Sequence, residues 1–531
     1  MSNNTSQEEA YATNEKVEEV GVNISEVDQV SSTITPLGVK PIKLDGKDVD
    51  DAMKYVDGLE NFELDLSFEK KLVRKIDYLL IPVMALLAMC QLMDKSTNSY
   101  ASIMGLRTDL HMTGSEYSWV GSTFYLGYLV SEMPAGMLLQ RFPLAKTLSS
   151  AIIIWSIVLM CHAACHSSAP FLVCRVILGM FECFLNPAYV LLTSQWWRQR
   201  EQFKRSCYWW GTQGFLAAVL GSCIAYGLTV HRAGSYSFAT WRLLYIITGV
   251  ITLSFGIFSM FYLPDSPAKA WFLNAKEKKY ALKRAQDNQQ GFGNHHFKSE
   301  QFIEALTDIT SWLFFIYGLS YSIPNGGFSN FGSILLNTDF GFSTQDSLLM
   351  AMSGGSIDLF APIILTIMNK YIFKRKRLIS CAFANTLVVI GMCLFNFTSN
   401  RGSKLAGYLS FYIATATSAG MLSILASNVA GYTKKATANA MFLIGYCAGN
   451  VIGPQTFRSK QAPNYVGAKI AMLVSFIVGT LDLLLMYYIY DRRNKSKEEE
   501  KNRLGSNYRV SENVAFADLT DKQNPEFRYS L

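Results

Sequence analysis

The segment Arg175-Val-Ile-Leu-Gly179-Met-Phe-Glu182 sets a guanidinium and a carboxylate seven residues apart inside a long apolar run. A charge near a bilayer centre costs about 2.5–3.5 kcal/mol even on lenient scales, so such groups face a protein interior or a water-filled path. Seven residues is nearly two helical turns. The spacing predicts that Arg175 and Glu182 share one face, about 10 Å apart along the axis, with Gly179 admitting a close neighbour between them. Arginine offers a two-pronged fork to a carboxylate, and a carboxyl in a dry setting can trade its charge for a proton near neutral pH. One helix could therefore carry an anion site above a proton site.

Further polar residues fall in other apolar blocks. Met93-Asp94-Lys95-Ser96-Thr97-Asn98 closes the first block. Lys95 has two readings, a second cation for an anion or a side chain that snorkels to the interface. Asp94 is too short to reach water easily and is the second candidate for the proton after Glu182. Glu132, followed by Pro134, is the third; the proline is expected to kink its helix and free carbonyl groups. In the seventh block, Ile323-Pro324-Asn325-Gly326-Gly327 is expected to break the helix near its middle and offer backbone groups and the Asn325 amide to a ligand; the alternative is a kink that only shapes the helix. Asn450 and Gln455 flank Pro454 in the eleventh block as further ligand-binding candidates. Asp358 and Asp482 are polar as well, Asp482 reading equally well as a contact between helices.

Long apolar helices are needed to hold these groups. The chain has 531 residues, 50% of them apolar and 17% charged. Blocks of this length and apolarity read as membrane spans, at approximately 78–98, 118–139, 147–165, 170–193, 206–230, 241–263, 311–335, 346–368, 377–397, 404–427, 435–455 and 468–490. The expected fold class is an all-α membrane protein with twelve transmembrane helices in two six-helix bundles. The organisation follows as a polar, disordered tail over 1–69, a first bundle over 70–263, a charged loop over 264–310, a second bundle over 311–490 and a tail over 491–531. The first block lies behind a polar segment and lacks a small-residue cleavage site, so it reads as a retained span.

The net charge of +7 would suggest nucleic acid in a soluble chain, but alternate loops account for it. Lys70 to Lys75, Arg141 and Lys146, Arg198 to Arg205, Lys370 to Arg377, Lys434 and Lys435, and Arg492 to Lys497 all fall on one side, which places both termini in the cytosol. The ten cysteines lie mostly inside apolar runs, where a thiol packs as an apolar group, so no disulfide framework is expected. Cys161-His162-Ala-Ala-Cys165-His166 repeats at a spacing zinc would accept, yet no second cluster accompanies it and no metal is expected. Gly211, Gly214 and Gly221, and Gly445, Gly449 and Gly453, recur at spacings that let helices approach closely.

The turn from Gly136 through Gln140-Arg141 to Lys146 resembles, in decayed form, the loop signature Gly-x-x-x-Asp-Arg-x-Gly-Arg-Lys of the major facilitator superfamily. Gly136, Arg141 and Lys146 would be its gating loop. Gln140 stands where the family has an acid, which removes the carboxylate of the usual latch. The Arg175 to Glu182 pattern is similar to the anion:cation symporter branch of that superfamily. Met93-Asp-Lys95, Met104-Gly-Leu-Arg-Thr-Asp-Leu110, Asn288-Gln-Gln-Gly-Phe-Gly-Asn-His295, Ser333-Ile-Leu-Leu-Asn337, Gly453-Pro-Gln-Thr-Phe457 and the tail Asn524-Pro-Glu-Phe-Arg-Tyr529 resemble the fungal allantoate permease family.

The resemblance implies the superfamily fold and proton-coupled import of small organic anions across a fungal plasma membrane. Allantoate and ureidosuccinate come first, small peptides as an extra, and nicotinate, pantothenate or cysteine as alternatives. A proton-independent exporter of organic anions and a non-transporting nutrient sensor remain as other readings. In this scheme Lys95, Arg175, Asn325, Asn450 and Gln455 bind the substrate, and Glu182, Asp94 and Glu132 handle the proton. The expected partners are the anionic substrate, protons and the lipid bilayer. The chain is expected to be a monomer with no enzymatic activity and no cofactor.

Overall fold

The computed structural model describes residues 66–230, 238–286, 297–504 and 518–531. The expected N-terminal tail lies outside them except for its last residues, and the run Asn288–His296 lies wholly outside. The helices are α1 (Leu66–Ala101), α2 (Gly114–Arg141), α3 (Leu144–Cys161), α4 (Ser168–Glu182), α5 (Leu185–Trp196), α6 (Gln199–Val230), α7 (Thr240–Tyr262), α8 (Ala275–Gln286), α9 (Ser299–Thr307), α10 (Ile309–Thr338), α11 (Thr344–Tyr371), α12 (Arg377–Phe397), α13 (Arg401–Ser410), α14 (Ala414–Asn428), α15 (Tyr432–Gln455) and α16 (Val466–Leu504). The expected fourth span is the pair α4 and α5, and the tenth is α13 and α14. The first helix begins well before its apolar block, and the last continues well past its own.

Nine helical stretches among the described residues are long and apolar enough to cross a bilayer, or ten if the bent pair α9 and α10 forms one span. The two remaining expected spans, α2 and α15, are long enough but more polar. They bury Ser122, Glu132, Asn439 and Asn450, and they pack against each other. A polar helix can lie at membrane depth where it faces protein instead of lipid.

Two close crossings organise the bundles. A Cβ at Gly179 of α4 would collide with the Phe124 carbonyl oxygen of α2, and one at Gly127 of α2 with the Val176 carbonyl oxygen. On α15, Gly445, Gly449 and Gly453 meet backbone of α10 at Phe315, Leu319 and Ile323 in the same way. Such contacts bring backbones together where lipid supplies no hydrophobic drive.

The expected break in the seventh span is absent: α10 runs as α-helix through Pro324 from Ile309 to Thr338. A proline removes only one helical hydrogen bond and can be accommodated where neighbours fill in, and Gly326 and Gly327 are braced by Asn450 and Phe457. The sharp bend, of 64°, comes earlier, where α9 meets α10. Pro134 likewise lies inside the continuous α2.

Each bundle is tied at one end by a network of charges. In the first, Glu69 of α1 accepts from Arg198 and, at 2.9 Å, from Arg284 of α8, which also meets Glu201 at 2.6 Å. Arg205 forks onto Asp77 at 2.7 and 2.8 Å. Burial alone would push the Glu277 carboxyl up, but the Lys75 ammonium at 2.8 Å and the Asn274 backbone N–H outweigh it and hold it below its ordinary value.

In the second bundle Asp308, at the start of α10, meets Arg493 at 2.6 Å, Lys434 at 3.1 Å and Lys522 at 3.2 Å. Lys434 also meets Asp521 at 2.6 Å and Glu304 at 2.9 Å.

Residues 518–531 form part of this second network. Asp518 Oδ1 accepts from the Tyr432 backbone N–H at 2.8 Å, Tyr529 exchanges two hydrogen bonds with Asn494, and Ser530 exchanges two with Asn428. The Lys497 ammonium donates to three backbone carbonyls of the segment. The family-like tail motif is thus a strap across the end of the second bundle.

Removing one partner of a buried ion cluster leaves the others uncompensated and costs about 3–5 kcal/mol. Lys434 is 1% exposed and faces three carboxylates. Lys434→Met is expected to lower the thermal unfolding midpoint of the solubilised protein by several degrees, and Lys495→Met, at an exposed pair, to leave it unchanged.

Candidate functional site

A cavity of about 150 Å³ lies between the bundles. That is below the roughly 300–1,000 Å³ of sites for drug-sized ligands, so its occupant is small. The first bundle supplies Lys95 from α1, Asn186 from α5 and Gln213 from α6; the second supplies Asn325 and Tyr321 from α10, Asp358 from α11, Tyr412 just before α14, Thr415 from α14, and Tyr446 from α15.

Lys95 has left the interface and points inward. Its ammonium lies 3.2 Å from the Glu182 carboxylate, and the two side chains are 11% and 0% exposed. The rings of Phe124, Tyr125 and Tyr446 surround the ammonium at 5.6, 5.8 and 6.0 Å, within the range of cation–π attraction. Glu182 is the last residue of α4, on the same buried face as Arg175, as the spacing predicts.

Arg175 serves a different neighbour. It donates to the Tyr245 hydroxyl at 2.6 Å and lies over the Phe171 and Tyr245 rings, and it is not among the cavity-lining residues. The Tyr245 hydroxyl reaches Asn98 at 3.5 Å, and Asn98 donates to Asn330 of the second bundle at 2.9 Å. His162 stacks on Tyr245 at 5.2 Å, while His166 turns to Arg242. The two histidines of the metal-like repeat therefore part company.

The other candidates separate in the same manner. Asp94 turns away from the cavity, accepting from the Trp155 indole at 2.9 Å and the Thr252 hydroxyl at 3.4 Å. Asn325 lines the cavity, and its amide is oriented by Asn450, whose own amide donates to the Tyr446 carbonyl. Gln455 donates to Ser122 across α15 and α2. Glu132 and Gly136 line a second cavity, apart from the first.

Arg141 is exposed at the end of α2. Lys146 reaches the Met260 carbonyl, and Asp265 accepts from the Ala145 and Lys146 backbone N–H groups at 3.0 and 3.4 Å. Asp265 thus brings to this turn a carboxylate that Gln140 does not supply.

The sequence does not single out the tyrosines of this wall. Nothing in an apolar run distinguishes Tyr321, Tyr412 and Tyr446 from ordinary core. Asp358 stands out in the sequence as an intramembrane carboxylate, and the structure sets it on the wall of the cavity that also holds Lys95, with Thr415 donating to it.

At one end the bundles are hydrogen-bonded to each other. Besides Asn98 and Asn330, Ser99 donates to Ser333 at 3.0 Å, Tyr117 to the Asn330 carbonyl at 2.9 Å and Ser122 to the Val451 carbonyl at 2.9 Å.

Residues 84–454 match the Major Facilitator Superfamily. The chain is 41% identical to the allantoate permease of Saccharomyces cerevisiae over 94% of this chain and 93% of that one. It is 40% identical to an uncharacterised transporter of Schizosaccharomyces pombe over 92% and 94% of the two chains. Among solved structures it resembles the proton:xylose symporter XylE, with a TM-score of 0.60 at 15% identity over 77% of this chain and 95% of that one. A bacterial homologue of the human lysosomal transporter Spinster gives 0.54 at 12% identity over 78% and 96%. Both likenesses are of fold alone.

Ser99 and Ser333 are close enough for a reporter of this contact. In the doubly substituted Ser99→Cys, Ser333→Cys protein, mild oxidation is expected to join the bundles by a bond that survives proteolytic cleavage between them and is reversed by reductant. Neither single variant should give that product.

Proposed function

This chain belongs to the major facilitator superfamily and, within it, to the fungal allantoate permease family, and on that premise we propose that it is a proton-coupled importer of small organic anions, allantoate and ureidosuccinate first. The observation that carries this reading is the Lys95–Glu182 pair at the edge of a small cavity. With Glu182 charged, the ammonium is already satisfied. A proton on Glu182 frees it for the substrate carboxylate, so proton and anion bind together.

Magnitudes support the coupling. Two charges about 4 Å apart attract by about 4 kcal/mol at an effective dielectric of 20. That is close to three powers of ten in affinity, ample for a carrier that should load the anion only with its proton. Asp358 and Asn325 on the cavity wall would accept and donate toward a ureido group, which is rich in N–H, while Lys95 takes the carboxylate. The bipolar cavity favours a ureido acid over a simple carboxylate.

Arg175 takes the role of a positioning residue, linked through Tyr245 and Asn98 to Asn330. With the basic loops in the cytosol, both termini are cytosolic, the end closed by Asn98 and Asn330 faces outward, and the chain resides in the plasma membrane as a monomer. The bundles are residues 70–263 and 311–490.

Uptake of labelled allantoate by cells lacking their own carriers should rise at acidic external pH and collapse with a protonophore; equal uptake at both pH values, unaffected by the protonophore, would sink proton coupling. Glu182→Gln should retain exchange of allantoate across the membrane and lose accumulation against a gradient. Asp358→Asn is expected to raise KM for allantoate about tenfold while leaving a simple monocarboxylate unaffected.

A further inference from the structure

The second cavity, about 200 Å³, is displaced along the helices from the first. On α5 it begins at Pro187, beside Asn186 of the first cavity, and on α15 it ends at Ala440, less than two turns before Tyr446. Tyr125, Tyr128 and Tyr446 pack against one another, and Asn186 donates to the Tyr128 hydroxyl at 3.1 Å. Both bundles supply walls, Glu132 and Met133 from α2 facing Lys435 and Asn439 from α15.

Glu132 is 3% exposed and Asn439 is 8% exposed, yet Glu132 Oε2 and Asn439 Oδ1 have no hydrogen-bond partner among the described residues. A buried polar atom left unsatisfied costs about 1–3 kcal/mol, so both oxygens call for a donor beyond the described residues. Lys435 brings a cation to the same cavity. Two acceptors and a lysine, with Thr433 and Thr437 beside them on walls that are mostly apolar, suit a molecule with N–H groups at one end and a carboxylate at the other.

We propose that this crevice is a second ligand site, in which Glu132 and Asn439 accept from the N–H groups of a small ureido or amino acid and Lys435 takes its carboxylate. On the reading of function above, the ureido acid is the transported substrate, held once more on the far side of the tyrosine layer. That identification of the occupant rests on the proposed function; the site itself rests on the unsatisfied oxygens.

Equilibrium binding to the purified full-length protein tests it, with labelled allantoate as one probe and labelled asparagine as the other. Two allantoate molecules per protein, falling to one in Lys435→Met and in Asn439→Leu and also to one in Lys95→Met, is the expected result. One molecule in the wild type, kept in Lys435→Met and Asn439→Leu but lost in Lys95→Met, would overturn the second site and leave the proposed function standing. Asparagine binding that Lys435→Met and Asn439→Leu abolish, without allantoate binding, would keep the site, make an amino acid its occupant and remove allantoate as substrate. Binding of neither probe would sink both.

Discussion

An ion pair with almost no access to water dictates much of this architecture. Lys95 and Glu182 offset their loss of hydration only while their geometry holds, since a buried pair gains little once it loosens. α1 and α4 must therefore stay in register. The crossing of α2 over α4 at Gly127 and Gly179 fixes α2 against α4, because side chains there would force the backbones apart. The same crossing brings Phe124 and Tyr125 of α2 around the ammonium, so packing and electrostatics are settled by one contact.

The second consequence concerns α2 and α15. Glu132, Lys435, Asn439 and Asn450 are too costly to set against lipid, and these helices turn them toward protein and toward the two cavities. Polarity that weakens their apolar signal is the property that lets them form a surface between bundles. α15 is held to its own bundle by backbone contact at Gly445, Gly449 and Gly453. Across to α2 it offers side-chain hydrogen bonds such as Gln455 to Ser122, which cost less to exchange.

The sequence discloses the parts of this arrangement that depend on one helix and hides those that depend on two. The shared face of Arg175 and Glu182 follows from helical spacing, and it holds. Which neighbour each group meets depends on how α4 is rotated against α1, α2 and α7, and no single-chain pattern encodes that rotation. Arg175 accordingly meets Tyr245, and Lys95 meets Glu182. Pro324 reads as a break because its cost is local, whereas the support from Asn450 and Phe457 is tertiary. Tyr446 looks like core until the opposing bundle is in place. The tail motif is legible only as a resemblance, since its partners Asn428, Asn494 and Lys497 lie in other elements.

The placement of the two charge networks bears on motion. Glu69, Arg198, Glu201 and Arg284 bind elements of the first bundle and the adjoining α8. Asp308, Lys434, Arg493 and the strap over 518–531 bind elements of the second. These strong, partly buried bonds therefore lie within bodies, while Asn98–Asn330, Ser99–Ser333 and Ser122–Val451, which join the bundles at the closed end, are neutral hydrogen bonds worth about 1 kcal/mol each. A rotation of one bundle against the other would break the weak set and spare the strong one. Alternating access demands that division, because a carrier whose bundles were joined by bonds as strong as those within them would stay in one state whether or not its cavity was loaded.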